Sequence, residues 1–418
     1  MSEMSYLEKL LDGVEVEWLP LGEVSALRRG RVMSKGYLTE NFGPYPVYSS
    51  QTANNGKIGS INTFDFDGEY ISWTTDGANA GTVFYRTGKF SITNVCGLIT
   101  LKSKYPLIYK FLFYWLTIEA KKHVYSGMGN PKLMSHQVEN IPVPIPCPDN
   151  PEKSLAIQSE IVRILDKFTA LTAELTAELN MRKKQYNYYR DQLLSFDEEQ
   201  EKPIYLEKLL DGVEVEWRTL GEIAVIYDGT HKTPKYTASG VPFVSVQNIK
   251  NLYGTNKYIS PEDFKTYKNK PRKHDLFMTR IGDVGTCAIV EDDRPLAYYV
   301  TLALIRINQQ IAVPGFIRYL IESRFGKAEL YKRTLIHAVP MKINLGEIGK
   351  VAVPIPCPDN PEKSLAIQSE IVRILDKFDT LTNSITEGLP REIELRQKQY
   401  EYYRNLLFSF PKPETVSN

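Results

Sequence analysis

Apolar residues recur at helical spacing in two long stretches of the chain. In the first stretch the apolar positions are Ile157, Ile161, Ile164, Phe168, Leu171 and Leu175. In the second stretch they are Ile367, Ile371, Ile374, Phe378, Leu381 and Ile385. The alternation of four-residue and three-residue steps is the a/d pattern of a coiled coil. Because an apolar stripe needs a partner, we expect two long antiparallel helices that bury each other's stripes.

Both stripes begin inside a repeated segment. The residues VPIPCPDNPEKSLAIQSEIVRILDKF occupy positions 143–168 and return unchanged at 353–378. The alternating prolines exclude a helix at the start of each copy and favour an extended backbone. Asn150-Pro151 and Asn360-Pro361 are the predicted helix starts, because proline is favoured at the first helical position.

The two predicted helices are of similar but unequal length. They run to Phe196 and Phe410, and the first, at about 42 residues, would span about 63 Å. Its middle contains the tetrapeptide TAEL twice, at 172–179. The second helix carries four extra residues, and its Gly388 and Pro390 predict an interruption. Residues 197–202 are predicted to form an acidic linker.

A second repeat frames the first. YLEKLLDGVEVEW occupies 6–18 and recurs at 205–217. The predicted order is cap, variable block and helix, twice over, with boundaries at 1–18, 19–145, 146–204, 205–217, 218–355 and 356–418. Duplication within one chain suggests a pseudo-twofold, quasi-circular arrangement, in which the end of the second helix lies near the first cap.

Only the variable blocks differ widely, and both predict an α+β fold of mixed, β-rich character. The strands predicted for the first block are Tyr45–Tyr48, Glu69–Thr74, Thr82–Tyr85 and Cys96–Leu101, with turns at Asn54-Asn55-Gly56 and Asp67-Gly68 and a helix at Leu107–Ala120. Those of the second block are Val241–Val246, Asp275–Thr279, Thr286–Val290 and Thr301–Ile307, before a helix at Gly315–Ser323. We align residues 74–77 with residues 279–282, which makes the blocks two diverged copies of one fold.

The charge is unevenly distributed. The net charge is +1, but residues 19–145 sum to +5 and residues 218–355 to +8, which leaves −12 for the rest. Two basic blocks separated by acidic helical segments indicate nucleic-acid binding in two places, although a solvated surface can also be mildly basic. The start lacks the basic and apolar regions of a signal peptide, no run of about 18 apolar residues could span a membrane, and the four cysteines lack CxxC spacing. We therefore expect a cytoplasmic protein with reduced thiols.

Motifs for catalysis are missing from the sequence. It contains no GxxxxGK[ST] phosphate loop, no glycine fingerprint after a strand and no Asn-Pro-Pro-aromatic motif for amino methylation. No His, Cys or Asp cluster has the spacing of metal ligands. We therefore expect no enzyme activity, cofactor or metal on this chain, and assign any chemistry to partner proteins.

The paired blocks, the repeated PxPxP-to-helix frames and the TAEL repeat resemble the specificity subunit of type I restriction–modification enzymes, and the IC subgroup in particular. The resemblance covers the whole chain. It implies that each block is a target-recognition domain reading half of a bipartite, asymmetric target in double-stranded DNA, and that the coiled coil sets the spacer between the halves.

The same resemblance implies partners in a bacterial or archaeal cytoplasm. Two modification subunits and, for cleavage, restriction and translocase subunits would dock on this chain and carry S-adenosylmethionine, ATP and Mg. A target adenine would be flipped out of the duplex by the modification subunit. The alternative interpretation is a coiled-coil scaffold with two protein-binding domains.

Candidate DNA contacts in the first block are basic residues for phosphates and polar residues for base edges. The phosphate candidates are Arg28, Arg29, Arg31 and Lys35, predicted as a loop that could also be a solvated turn. The base-edge candidates are Tyr48, Ser49, Ser50, Gln51, Asn54, Asn55 and Lys57. A further group lies around glycines that would let the backbone approach another chain, or would simply form a tight turn: Trp73, Thr74, Thr75, Asp76 and Asn79.

The second block offers a comparable set. The loop 228–235 contributes Thr230, His231, Lys232, Thr233 and Lys235. Ser245, Gln247 and Asn248 follow a predicted strand, as Ser50 and Gln51 do. A basic run predicts a phosphate track, unless it is merely solvated, and consists of Lys265, Lys268, Lys270, Arg272 and Lys273. Arg280 is predicted to make a bidentate contact to guanine.

The spacer interpretation predicts the effect of adding one TAEL unit after Leu179. The insertion lengthens the helix by about 6 Å and rotates its end by about 40° net. One base pair adds about 3.4 Å and about 34–36° to a duplex. The rotation added to the helix therefore matches one extra base pair, whereas the added length matches nearly two. We expect a target spacer longer by one base pair with unchanged end sequences. Mapping of the methylated sites tests this prediction, and a change in the base sequence of either half-site would contradict it.

Overall fold

The computed structural model describes residues 6–11, 13–127, 129–196, 204–210, 212–384 and 386–412. The chain forms two units, the first comprising residues 1–174 and 393–418 and the second residues 175–392. Each unit thus contains one variable block together with parts of both helical regions. The predicted linker at 197–202 and the stripe position Ile385 lie outside the described residues.

The first unit is built on one six-stranded sheet of order β2-β7-β5-β6-β3-β4, beside a separate β1-β8 pair. Its strands are β1 (Val16–Pro20), β2 (Ser25–Arg29), β3 (Phe42–Tyr48), β4 (Lys57–Ile61), β5 (Phe66–Thr74), β6 (Val83–Ile92), β7 (Cys96–Leu101) and β8 (Pro142–Pro146). The helices that begin in it are α1 (Tyr6–Leu11), α2 (Leu21–Val24), α3 (Lys35–Glu40), α4 (Tyr109–Glu119), α5 (Ser135–Val138) and α6 (Pro151–Leu193). Strands β3 and β6 pair in parallel, whereas the other pairs in this unit are antiparallel.

The second unit divides its strands between two sheets, of order β10-β16-β13-β14 and β12-β11-β15, beside a β9-β17 pair. Its strands are β9 (Val215–Thr219), β10 (Ala224–Asp228), β11 (Val241–Val244), β12 (Tyr258–Ile259), β13 (Leu276–Thr279), β14 (Cys287–Ile289), β15 (Ala297–Tyr298), β16 (Leu302–Ile307) and β17 (Ala352–Pro356). The helices that begin in it are α7 (Ile204–Leu210), α8 (Leu220–Ile223), α9 (Pro261–Lys265), α10 (Pro314–Glu322), α11 (Arg324–Tyr331), α12 (Leu345–Ile348), α13 (Pro361–Asn383) and α14 (Gly388–Leu407).

The mixed, β-rich blocks predicted from the sequence are confirmed, with local corrections. Asp67-Gly68 does not form a turn, because Gly68 lies within β5 and pairs with Gly88. The strand predicted to reach Val246 ends at Val244, since Val246–Asn248 form a single 3-10 turn. The equivalence of residues 74–77 and 279–282 is supported by matching bonds, in which Thr74 N donates to Thr82 O and Thr279 N donates to Thr286 O.

The repeated caps and proline segments form identical strand pairs. In the first pair Trp18 lies opposite Pro144, and in the second Trp217 lies opposite Pro354. A proline has no N–H to donate, so it is tolerated in a strand that pairs on one side only. The extended backbone predicted for both proline segments is therefore confirmed, and its partner is the end of the cap.

The long helices follow the prediction closely. Helix α6 is a continuous helix of 43 residues. The second helical region is interrupted between α13 and α14, as predicted, but Pro390 lies in the first turn of α14 instead of kinking a helix interior. Gly388 has a φ of +78°, and a Cβ there would lie 2.4 Å from the carbonyl oxygen of Thr380. The break therefore requires glycine at this position.

The apolar stripes bury each other only in part. Ile157, Ile161 and Leu165 are buried in the core of the first block, beside α4, and Leu171 is 37% exposed. The reason is that the first turns of each stripe pack on the block that precedes them. Contacts between the two helical regions are present in each unit. Phe168 stacks on Tyr403 in the first unit, and Tyr189 stacks on Phe378 in the second.

Residues 408–411, which follow α14, lie near the first cap, as the quasi-circular order predicts. The indole Nε1 of Trp18 donates to the carbonyl oxygen of Pro411 at 2.8 Å. Phe408 and Phe410 are buried in the same core as Phe111 of α4. The C-terminal segment is thus an integral part of the first unit.

A buried glutamine connects each repeated helix to its variable block. Gln158 accepts a hydrogen bond from Ile108 N at 2.9 Å and donates to Pro106 O at 2.7 Å. Gln368 accepts from Val313 N at 2.9 Å and donates to Ile311 O at 3.1 Å. Both glutamine side chains are fully buried. Because both block partners are main-chain groups, this connection does not depend on the side chains of the block.

On each repeated helix, a carboxylate about two turns beyond the glutamine makes a second connection to the block. Asp166 accepts from the hydroxyl of Tyr114 at 2.7 Å, and Asp376 accepts from the hydroxyl of Tyr319 at 2.6 Å. Burial is the largest cause that raises the pKa of both tyrosines, and the hydrogen bond to aspartate adds to it. Each phenol therefore stays protonated and remains a donor at neutral pH.

Substitution of the buried glutamine should destabilise one unit. In Gln158→Met the main-chain groups of Ile108 and Pro106 lose their partner in the core, and we expect a loss of about 1–3 kcal/mol for each orphaned group. Urea or thermal unfolding measures the effect. Ser159→Ala, an exposed change on the same helix, is the control and should stay within about 0.5 kcal/mol. Equal midpoints for the two variants would contradict the assignment.

Candidate nucleic-acid interface

In the first unit, the two candidate loops that follow β2 and β3 lie on either side of one backbone segment, Ile92–Asn94. Arg31 N donates to Ile92 O at 3.3 Å, and Asn94 N donates to Arg31 O at 3.1 Å. On the other side Thr93 N donates to Tyr48 O at 2.9 Å, and the hydroxyls of Ser49 and Thr93 are 2.8 Å apart. Candidate residues that are distant in sequence are therefore neighbours.

The second unit repeats this arrangement with different side chains. Thr230 N donates to Tyr298 O at 3.2 Å, and Val300 N donates to Thr230 O at 3.0 Å. Across the same segment Tyr299 N donates to Val244 O at 2.9 Å. The loop after β10 and the loop after β11 are therefore the counterparts of the loops after β2 and β3.

In both units a glycine lets the first candidate loop approach the backbone segment with which it pairs. A Cβ on Gly30 would lie 2.1 Å from Ile92 O, and a Cβ on Gly229 would lie 2.5 Å from the carbonyl group of Tyr299. Any larger residue would push the loop away from the segment it pairs with.

We call the accessible side chains of these loops the first and second recognition surfaces. The members of the first recognition surface are exposed or half-buried and are Arg31, Lys35, Ser49, Ser50, Gln51, Asn54, Asn55 and Lys57. Those of the second recognition surface are likewise exposed or half-buried and are Thr230, His231, Lys232, Thr233, Lys235, Ser245 and Gln247.

The polar loop of the first recognition surface is closed by its own hydrogen bonds. Ser49 N donates to Gly56 O at 2.9 Å, and the amide of Gln51 donates to Lys57 O at 2.7 Å. At its tip Asn54 and Asn55 are exposed, with φ angles of 50° and 55°. Asparagine tolerates this left-handed backbone better than most residues. The loop therefore presents two carboxamides, the group that pairs with adenine edges.

The second recognition surface contains a cavity of about 380 Å³. Among its lining residues, Thr233, Ser245 and Gln247 were predicted from the sequence. Tyr236, Phe243, Lys257, Tyr299 and Thr301 also line it, and they were missed. Tyr236 directly follows Lys235, and an aromatic residue beside a basic one is the signal that could have identified it. Burial raises the pKa of Tyr236, so its hydroxyl remains a hydrogen-bond donor.

The phosphate candidates of the first block do not form one loop, because Arg28, Arg29 and Arg31 lie on a strand or just after it and Lys35 is the first residue of α3. Arg28 and Arg29 are exposed on β2, the edge strand of the sheet, and Arg29 Nη2 lies 3.1 Å from the sulfur of Met134. Arg31 pairs with Asp65 at 3.1 Å. Hydrogen bonds with Tyr37 and Asp65 raise the pKa of Arg31. Arg28 is thus a more available phosphate contact than Arg31, whose charge is partly balanced.

Most side chains of the basic run in the second block are exposed, and a buried aspartate holds the backbone of the run. Lys265, Lys268, Arg272 and Lys273 are exposed, and the half-buried Lys270 lies 4.9 Å from the ring centre of Phe264. The buried carboxylate of Asp275 accepts from Arg272 N at 2.9 Å and pairs with Arg306 at 2.7 Å. This loop can therefore present several cations from a fixed backbone.

The glycine-containing turn at 73–79 serves the fold. Trp73 is 1% exposed and its Nε1 donates to Leu133 O at 3.0 Å, while Thr74 and Thr75 are fully buried. The hydroxyl of Thr74 bonds to the carbonyl of Asn79, and that of Thr75 to the carboxylate of Asp76. The tight turn was the alternative interpretation and is the one that the structure supports. Trp73, Thr74 and Thr75 are buried and cannot contact DNA in this conformation. Asp76 and Asn79 are half-buried and remain predicted contacts.

Arg280 and Asn248 also have structural roles. Arg280 is 7% exposed, and its Nη1 donates to the Asp228 carboxylate at 2.9 Å and to Val300 O at 3.0 Å. The predicted contact with guanine is therefore not available to it. Asn248 caps the 3-10 turn by accepting from Ser245 N at 3.1 Å. Local sequence could not reveal the partners of Arg280, because Val300 and Asp228 lie 20 and 52 residues away from it in the chain.

Sequence analysis also missed Arg86. The strand predicted from the sequence ended at Tyr85, whereas β6 continues to Ile92 and carries Arg86 in its middle. The side chain is 3% exposed and lies against Tyr48, the residue at which the polar loop of the first recognition surface begins.

The described part of the chain contains neither a metal site nor a membrane-spanning helix. Among these residues no group of three His, Cys, Asp or Glu side chains could hold a metal ion. Within the same ranges, no helix combines the length and apolar character that a bilayer crossing requires.

The chain thus contains two β-rich domains, each with its own polar recognition surface and each followed by a long helical region. This arrangement defines a protein with two separate candidate binding domains. The sequence matches the family described as type I restriction modification DNA specificity domain over residues 13–182 and 212–395. It is 41% identical to the type I restriction enzyme EcoR124I/EcoR124II specificity subunit of Escherichia coli, with both chains covered completely. It is 36% identical to the EcoprrI specificity subunit of the same species, over 93% of each chain.

Solved structures give the same fold. The S subunit of a type I restriction–modification system from M. genitalium matches with a TM-score of 0.58 at 16% identity, over 98% of this chain and 100% of that one. The chain therefore belongs to the family of type I restriction–modification DNA specificity proteins. Its function is that of the non-catalytic subunit that recognises the DNA sequence.

Removal of the Arg280 guanidinium should reduce stability. Arg280→Met removes the buried cation that pairs with the half-buried Asp228 carboxylate and the donor to the main-chain carbonyls of Val300 and Ile343, and we expect a loss of about 2–3 kcal/mol. Thermal unfolding of the free protein measures it. Arg272→Met, at an exposed position, is the matched control and should melt like the wild type. A stable Arg280→Met variant with altered base preference would instead restore the predicted contact with guanine.

Proposed function

We propose that residues 19–145 and 218–355 are target-recognition domains and that each recognition surface reads one half of a bipartite, asymmetric DNA target. The observation that carries this proposal is the convergence of two candidate loops on one backbone segment in each unit, at Thr93 and at Tyr299. The loops were selected separately, by charge and by polar composition, yet they are adjacent in both copies.

The two surfaces carry different hydrogen-bonding groups, which is what an asymmetric target requires. The first has carboxamides at Gln51, Asn54 and Asn55, a chemistry suited to the N6 and N7 edge of adenine. The second has hydroxyls, a histidine and lysines beside Gln247, and these groups suit a different set of base edges. Arg28 and the exposed lysines between 265 and 273 would bind phosphates and fix the register.

The helical frames would set the distance between the half-sites. Helix α6 is continuous over 43 residues and contains the TAEL repeat well inside it. An inserted or deleted helical turn would therefore be transmitted as a change of rise and rotation, with no loop to absorb it. This supports a spacer whose length is encoded by helix length.

We further propose that the chain works with two modification subunits and, for cleavage, with restriction and translocase subunits. These partners would carry S-adenosylmethionine, ATP and Mg in a bacterial or archaeal cytoplasm. The similarity to specificity subunits over the whole chain supports this assignment. The TAEL repeat and its flanks support placement in the IC subgroup.

The proposal predicts that the two surfaces can be altered independently. Asn55→Ala should relax discrimination at one half-site and Gln247→Ala at the other, each by about tenfold or more, because a good base contact contributes about 1–3 kcal/mol of discrimination. Methylation of a panel of DNA duplexes by the complex with modification subunits measures it. Each variant is the control for the other, and a change at both half-sites from one substitution would contradict the proposal.

The same complexes distinguish DNA recognition from a protein-binding scaffold. DNA affinity should fall steeply as salt rises, with a slope that decreases by about one for each phosphate contact removed. Lys268→Ala combined with Lys273→Ala, two exposed positions of the proposed phosphate track, should therefore flatten the slope without changing base preference. Salt-insensitive binding without sequence preference would favour the scaffold.

A further inference from the structure

Arg86 carries a buried charge without an acidic partner. Its side chain is 3% exposed in the middle of β6, and Nε donates to the hydroxyl of Ser72 at 3.0 Å. Among the described residues no carboxylate forms an ion pair with it, and Nη1 is buried without a hydrogen-bond partner. The other contacts of its guanidinium are aromatic, with Tyr48 at 3.6 Å and Phe84 at 4.5 Å from the ring centres.

This arrangement is costly for the fold alone. Burial lowers the pKa of Arg86 to about 10 and raises the pKa of its neighbour Cys96 to about 12. The other neighbour, Tyr48, offers an aromatic ring and a hydroxyl but no carboxylate. A buried cation without an anion is usually less stable than an apolar residue of similar volume. Arg280 of the second unit, by contrast, is paired with Asp228.

The guanidinium contacts one end of the polar loop of the first recognition surface and lies close to the other end. Tyr48, whose ring lies over it, is the last residue of β3 and the start of the loop. At the other end Gly56 has a φ of +82°, and a Cβ there would lie 3.0 Å from Nη2 of Arg86. Ser49 N and Gly56 O join the two ends at 2.9 Å. The charge thus lies directly beneath the loop that presents Asn54 and Asn55.

We propose that Arg86 is a positioning residue that determines the base preference of the first recognition surface by holding the two ends of the loop 48–57 in place. The inference rests on the proposed function of that surface. The planar guanidinium lies over the ring of Tyr48, and its Nη2 lies 3.0 Å from the position of a Cβ at residue 56. Lysine has no planar group and would not reproduce both contacts.

The test uses the full chain in complex with its modification subunits. Arg86→Met and Arg86→Lys are compared with the wild type on duplexes in which each base of either half-site is varied. We expect both variants to lose about tenfold or more of the discrimination at the half-site read by the first surface. Discrimination at the other half-site is the internal control and should be unchanged. Hydrogen exchange of the amides between 49 and 57 should become faster.

A purely structural role would give a different result. Arg86→Met would then change the melting temperature of the complex but leave base preference at both half-sites unaltered, and this outcome would overturn the inference. Gly56→Ala offers a second route if Arg86→Met does not fold, because the added methyl group presses on Nη2 from the loop side. It should produce the same shift in preference at the first half-site, and unchanged preference would equally overturn the inference.

The experiments distinguish a wrong role for Arg86 from a wrong function for the first recognition surface. If Asn55→Ala alters the first half-site and neither Arg86→Met nor Gly56→Ala does, only the role of Arg86 is wrong. If Asn55→Ala also has no effect on either half-site, the first surface does not read DNA and both proposals fail.

Discussion

The fixed part of this chain holds its variable part through hydrogen bonds to the main chain. Gln158 and Gln368 are fully buried, and in the blocks each bonds to one N–H and one C=O. Main-chain groups are present whatever the side chains are, so the block can diverge without losing its attachment. An unsatisfied glutamine in the core would be expensive, which makes this connection a strict geometric constraint on every block that the frame accepts.

The same principle governs the recognition surfaces. The loops are joined to the central segment by bonds such as Thr93 N to Tyr48 O and Tyr299 N to Val244 O. Exposed side chains such as those of Asn55 and Lys232 are therefore not needed for this attachment and remain available for a ligand. Ser49, Gln51 and His231 form local hydrogen bonds in addition. Arg86 differs from all of these, because it lies outside the loop and contacts it with its guanidinium. This explains how two blocks with one topology can present amides in one case and hydroxyls, histidine and lysines in the other.

Sequence patterns predicted the elements well and the roles of individual residues less well. The strand Cys96–Leu101 and the interruption near Gly388 were predicted correctly, because alternation of apolar residues and the backbone preference of glycine are local properties. Trp73 and Arg280 were assigned to DNA, yet both are buried. Their partners Leu133 and Asp228 are 60 and 52 residues away in the chain, so no local pattern indicates them.

The sequence by itself determined the repeated frames, the long helices, the β-rich blocks and the two concentrations of positive charge. Periodicity, the placement of proline and glycine, and composition act over short distances along the chain. They can therefore be read directly from the sequence. The tertiary structure alone decided which polar residues are accessible, which loops become neighbours, and that Arg86 lies beneath one of them. Those outcomes depend on pairing between strands that are far apart in the chain, where burial and hydrogen-bond partners are settled jointly.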